Sequence, residues 1–117
     1  MTTIKVSYFI SGDPEKEDKE LPEMLIKALG MTFYTFVEIT LAKVKDAIGG
    51  KCGKELLVKC YKGKSSGSCL KTIGMVVVAF DGDIKELEIT LIHELLHLFQ
   101  WDEKIIDAKA KEIYKGG

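Results

Sequence analysis

Arginine and asparagine do not occur in this chain, and glutamine occurs once, as Gln100. Without a guanidinium, the bidentate fork that reads guanine or clamps phosphate is missing. The 17 positive residues are all lysine and face 18 acidic ones, for a net charge of −1, so no basic field substitutes for it. Nucleic acid is therefore excluded as an expected partner. Scarce thermolabile amides beside abundant lysine and glutamate point to a heat-adapted protein. Cysteine is limited to Cys52, Cys60 and Cys69, and no two of them form a C-x-x-C pair. That spacing excludes a zinc knuckle or a dithiol redox motif and leaves small half-buried hydrophobes, with a Cys60–Cys69 bridge still open.

A long uncharged apolar run is also lacking. The most hydrophobic stretch, Leu29 to Ile48, carries Glu38, Lys43, Lys45 and Asp46, so it is not expected to span a membrane. The opening Met1-Thr2-Thr3-Ile4-Lys5-Val6 has neither the charged start nor the apolar run of a signal peptide, and a cytoplasmic location is expected. What the chain does have is 46% hydrophobic and 30% charged residues over 117 positions, enough for one ordinary domain and one core.

Hydrophobic periodicity predicts an α+β fold: a short three-stranded sheet with helices. Ile4 to Ile10 alternates and reads as a strand, ended by Ser11-Gly12-Asp13-Pro14. Pro14 suits a first helical turn, so Glu15 to Glu20 reads as the solvated start of a helix that continues to Leu29. A second helix is predicted over about Thr32 to Ile48, closed by Gly49-Gly50. Glu55 to Tyr61 reads as a strand and Lys62 to Ser68 as a loop. Gly63-Lys64-Ser65 is no phosphate loop, because the upstream glycine and the strand-to-helix context are missing. The strongest strand is Gly74 to Phe80, followed by an Asp81-Gly82-Asp83 turn in which Asp83 can cap the next helix, about Ile84 to Phe99. A last helix is expected from about Glu103 to Tyr114.

The helix after Asp83 is apolar nearly all round, the pattern of a buried helix. Its remaining polar stripe holds Thr90, His93, Glu94, His97 and Gln100. Buried imidazoles and a carboxylate need a partner, and a metal ion is the economical one. His93 and His97 lie four residues apart, one above the other on a helix, so both can offer a nitrogen to one zinc ion. Glu94 stands about 100° around the helix from His93, placed to take a proton from a water that the ion has acidified. Two satisfied core histidines are the plainer alternative.

Three protein ligands and one open position make a catalytic zinc site. Asp102, Glu103, Asp107 and Glu112 are the candidates for the third. If the chain reverses at Gln100-Trp101, Glu103 falls level with His97 and Asp107 level with His93. Glu103 then completes the ligand set and Asp107 orients His93 through its other nitrogen, with Asp102 and Asp107 as alternative ligands. Tyr8, Tyr34, Tyr61 and Tyr114 are open candidates for stabilising an oxyanion.

His93-Glu94-Leu95-Leu96-His97 followed by Glu103-Lys104-Ile105-Ile106-Asp107 resembles the gluzincin pattern, H-E-x-x-H and then E-x-x-x-D on a glutamate helix. The small size resembles the minigluzincins, themselves similar to the catalytic domains of integral-membrane metallopeptidases. This resemblance covers about residues 93–107. It implies a zinc endopeptidase with His93, His97 and Glu103 on one zinc ion, Glu94 as general base and Asp107 behind the ligands. It also implies that the strand Met75, Val76, Val77, Val78, Ala79 and Phe80 binds an extended peptide or protein substrate by strand addition, with a purely interior strand as the alternative. Latency through the C-terminal segment is implied too, in a monomer or in a helix-swapped dimer hinged near Gln100-Trp101. The spacing between His97 and Glu103 is shorter than in thermolysin-like enzymes. It matches the metzincin spacing, but Gln100 replaces the metzincin glycine and a glutamate replaces the third histidine. A zinc-holding regulatory or interaction module without turnover is the alternative.

Overall fold

The computed structural model describes residues 2–49, 54–99 and 103–116, with Glu103 described by its backbone only. In chain order the elements are β1 (Thr3–Ile10), β2 (Asp13–Glu17), α1 (Leu21–Leu29), α2 (Phe33–Ile48), β3 (Glu55–Lys62), β4 (Gly67–Leu70), a 3₁₀ turn (Lys71–Ile73), β5 (Met75–Phe80), α3 (Ile84–Leu98) and α4 (Glu103–Gly116). The strands form one sheet in the order β2-β1-β3-β5-β4. β1, β3 and β5 run parallel, while β2 and β4 lie antiparallel at the two edges. The fold is α+β as expected, but the sheet has five strands, not three.

Both missed strands are edge strands, and each has a physical reason to escape notice. All five residues of β2, Asp-Pro-Glu-Lys-Glu, are exposed, so no apolar alternation marks it. Pro14, read as a helix start, is instead tolerated because an edge strand has one row of N–H groups with no ladder to serve. The helix signal sits further on: Asp18 Oδ1 accepts from the N–H groups of Glu20 and Leu21, and Pro22 occupies the first turn of α1. The loop predicted over Lys62 to Ser68 gives up its last residues to β4, a four-residue strand too short to show a period.

The three parallel strands bury one face. Ile4, Val6 and Tyr8 stand beside Leu56, Val58 and Cys60, which stand beside Val76 and Val78 on β5. All helices contribute to the core over this face, including Leu21, Leu25, Phe33, Val37, Leu91, Leu95 and Ile106. Thr32 caps α2 by accepting from the Thr35 N–H at 3.2 Å, and Gly49 closes it with φ of 66°. Lys43 Nζ meets Glu88 Oε2 at 3.1 Å and ties α2 to α3. Among the described residues no single helix is long and apolar enough to cross a membrane. The consecutive α1 and α2 pass that test together but are bent by 56°.

Cys60 is fully buried on β3, and β5 lies between it and Cys69 on β4, so the Cys60–Cys69 bridge left open by the sequence does not form. Cys52 lies outside the described residues. Burial, helped by the Asp18 carboxylate, pushes the Cys60 thiol from 9.0 up to about 12. A thiol is neutral when protonated, so the unfolded chain releases this proton near its ordinary value while the native chain holds it. Stability is therefore intact below that value and falls as pH rises towards the folded one, by at most about 4 kcal/mol for this group. Unfolding midpoints at pH 8 and 10.5 should diverge less in Cys60→Val than in the parent. Some alkaline slope will persist in the variant, because burial, the larger of the two causes that raise Tyr8, remains when the Cys60 thiol is gone.

Candidate metal centre

Helix α3 begins where Asp83 accepts from the N–H groups of Lys85 and Glu86, at 2.9 and 3.3 Å. Leu87, Leu91, Ile92, Leu95 and Leu96 are fully or almost fully buried and fix the rotation of the helix against the sheet and α2. With those positions committed inward, His93, Glu94 and His97 share the remaining sector. One ligand atom from each lies within 4.8 Å of the others. The two imidazole rings have centroids 4.9 Å apart and meet edge to face at 77°. Zinc bonds to nitrogen at about 2.0–2.1 Å, which sets tetrahedral ligand atoms about 3.3 Å apart. Side-chain rotation alone can close the difference.

Glu94 is 5% exposed, and it is one of two buried polar or charged residues described, the other being Thr40. Thr40 is satisfied by donating to the Phe36 carbonyl at 2.8 Å. His93 Nδ1 stands 3.3 Å from Oε2 of the Glu94 carboxylate. Burying a carboxylate is expensive unless a positive charge shares the site. The ring's other nitrogen, Nε2, is buried and makes no hydrogen bond among the described residues, although Asp107 Oδ1 is 3.2 Å away. The carboxylate is within reach of this nitrogen but out of line with it, and at 82% exposure its side chain is free to turn. With Nε2 turned towards Asp107, it is Nδ1 that stands beside the buried carboxylate, and with a second imidazole in the same group this is a donor set that suits a divalent cation.

α4 brings Asp107 to this place by burying Ile106, Ala110 and Ile113 against the rest of the chain, which leaves Asp107 at its outer margin beside α3. Glu103 heads α4, but its side chain, like Gln100, Trp101 and Asp102, lies outside the described residues. Glu112 is engaged with Lys109 Nζ at 3.3 Å, one turn along the surface of α4. Of the tyrosines, Tyr8 packs on Phe33 and the Tyr61 hydroxyl meets Ser66 Oγ at 3.0 Å.

Strand addition at Met75 to Phe80 requires a free edge, and β5 has none. β3 pairs with it on one side and β4 on the other. The edge beside the motif helix belongs to β4, which reasoning from β propensity passed over. Ala79 donates to the Ser66 carbonyl at 2.9 Å. By the alternation of an antiparallel ladder, Gly67, the next residue, turns its own N–H and C=O away from β5. Gly67 also lies directly against Thr90 and Glu94.

No protein-family model, curated protein or solved structure matches this chain. What the site can do rests on its own chemistry. His93, Glu94 and His97 form a group positioned to hold a metal ion. Were Asp107 to steady the His93 ring, removing it would weaken metal binding about 10–100-fold without changing stoichiometry. Zinc titration of Asp107→Ala against a competing chelator measures this, and an unchanged affinity would leave Asp107 as surface charge.

Proposed function

We propose that the chain is a zinc-dependent endopeptidase. The observation that carries this reading is the convergence, on one turn of a buried helix, of two imidazoles and a carboxylate within 4.8 Å. His93 and His97 would hold one zinc ion, and Glu103, at the start of α4, is proposed as the third ligand. When bound, zinc would acidify a water and polarise the substrate carbonyl. Glu94 takes the proton of the attacking water and passes it to the leaving amine, so one carboxylate serves first as base and then as acid. Asp107 restrains His93 from behind. A peptide in extended form is proposed to lie along the outer edge of β4, where Gly67 presents backbone groups beside Glu94.

The near-complete burial of Glu94 favours a second reading, in which the chain keeps its metal but does not turn over, as a regulatory or protein-interaction module. A latent peptidase blocked by its C-terminal segment would share this burial. We propose a monomer or a helix-swapped homodimer, and a cytoplasmic location without nucleic-acid or membrane partners. The deciding experiment is hydrolysis of an unstructured protein by the zinc-loaded chain, with Glu94→Gln as the control.

A further inference from the structure

We propose that Gly67 is a positioning residue: its missing side chain is the space in which the Glu94 carboxylate is seated. This rests on the peptidase reading, in which Glu94 is the base. A glycine in a strand needs an explanation, because it packs nothing and weakens the strand. Gly30 and Gly49 owe their identity to positive φ, at 74° and 66°, but Gly67 has no positive φ and any residue could adopt its backbone. The reason lies in space. A Cβ built on Gly67 would stand 2.7 Å from Thr90 Cγ2, 2.8 Å from Glu94 Cγ and 3.0 Å from Glu94 Oε2.

Something must then move, and the groups differ in how easily they do so. Thr90 is β-branched on a helix, with χ1 held to few rotamers, and its hydroxyl faces Ser65 Oγ at 3.4 Å. The strand backbone is pinned on its inner side by the ladder to β5. Glu94 has three torsions and is the group that gives way. A methyl at position 67 therefore displaces the Glu94 carboxylate while His93 and His97, on the same helix backbone, keep their places. β4 thus sets the position of the base as well as forming the rim. Misplacement by about 1 Å is enough to cost on the order of 10²-fold in rate.

The test compares the parent chain, Gly67→Ala, Thr90→Ser and Gly67→Ala/Thr90→Ser. Gly67→Ala should unfold cooperatively and bind one zinc per chain like the parent, with kcat down at least about tenfold and KM within about twofold. Thr90→Ser alone should behave as the parent. In the double variant the worst contact, with Thr90 Cγ2, is gone, and kcat should recover in part. A kcat within twofold of the parent in Gly67→Ala overturns the proposal. So does a rise in KM alone, which would make Gly67 a peptide-binding residue only. If the parent chain hydrolyses nothing, the peptidase reading fails, and the positioning claim is decided by NMR of side-chain carboxyl carbons. The Glu94 resonance should shift in Gly67→Ala while those of Glu86 and Glu88 stay in place. An unmoved Glu94 resonance overturns the claim.

Discussion

Glu94→Gln should abolish peptide hydrolysis and leave zinc binding intact. The amide is almost the same size and shape as the carboxylate, so a side chain that is 5% exposed is replaced without a cavity. What changes is the chemistry: an amide cannot take a proton from water at neutral pH or return it to an amine. Loss of a general base costs about 10²–10⁴-fold in kcat. The two imidazoles are untouched, so the metal stays. New N-termini generated from an unstructured protein, with zinc measured on the same sample, give both readouts. Equal cleavage by Glu94→Gln and parent would remove Glu94 from the mechanism. No cleavage by either, with one zinc per chain in both, would favour the module that binds metal without turnover. The same substitution replaces a buried negative charge with a neutral group, so the metal-free chain should be no less stable than the parent. Large destabilisation would mean that the carboxylate is a structural element of the core.

The parts of this fold that could be read from sequence are those with a strong period or an end signal. α3 combines an apolar pattern with Asp83 at its start, and the structure places its boundaries within a residue of expectation at the C-terminal end and on it at the N-terminal end. α2 is bracketed by Thr32 and Gly49 in the same way. The edges of the sheet were not legible because edges are protected by lacking that pattern. β2 is charged along its whole length and carries a proline, and β4 is four residues of mainly small or polar character. The charges and the proline of β2 are common devices for keeping an edge from pairing with other chains. This inverts the inference from β propensity. Met75 to Phe80 scores highest because it is the interior strand, and for that reason it is a poor candidate for strand addition. In the site, the i, i+4 histidines were legible because helix geometry alone brings them together. Asp107 required the return of α4, which an antiparallel turn anticipates, and it stands 3.2 Å from His93 Nε2. Gly67 had no signal in sequence, since a small residue reserved for another side chain looks like any other loop glycine.

His97→Ala should lose the metal. Outer partners of a ligand are worth about 10–100-fold in affinity, and a direct ligand is worth more. At micromolar protein and zinc, stoichiometry should fall from one per chain to well below half. Folding gives an independent measure. Zinc at 100 times its dissociation constant adds about 2.7 kcal/mol to the native state, which for a domain of this size raises the melting temperature by on the order of 10 °C. The parent should show that rise, and His97→Ala should not. The metal-free variant should melt close to the metal-free parent, because His97 is only half-buried and its removal costs about 1 kcal/mol. Packing histidines would give the opposite pattern: no zinc-dependent rise in the parent and a lowered melting temperature in both His93→Ala and His97→Ala. A zinc-dependent rise that survives in both single variants would place the ion elsewhere on the chain. His93 and His97 are the only histidines in the sequence, so such a site would have to be built from carboxylates and thiols alone.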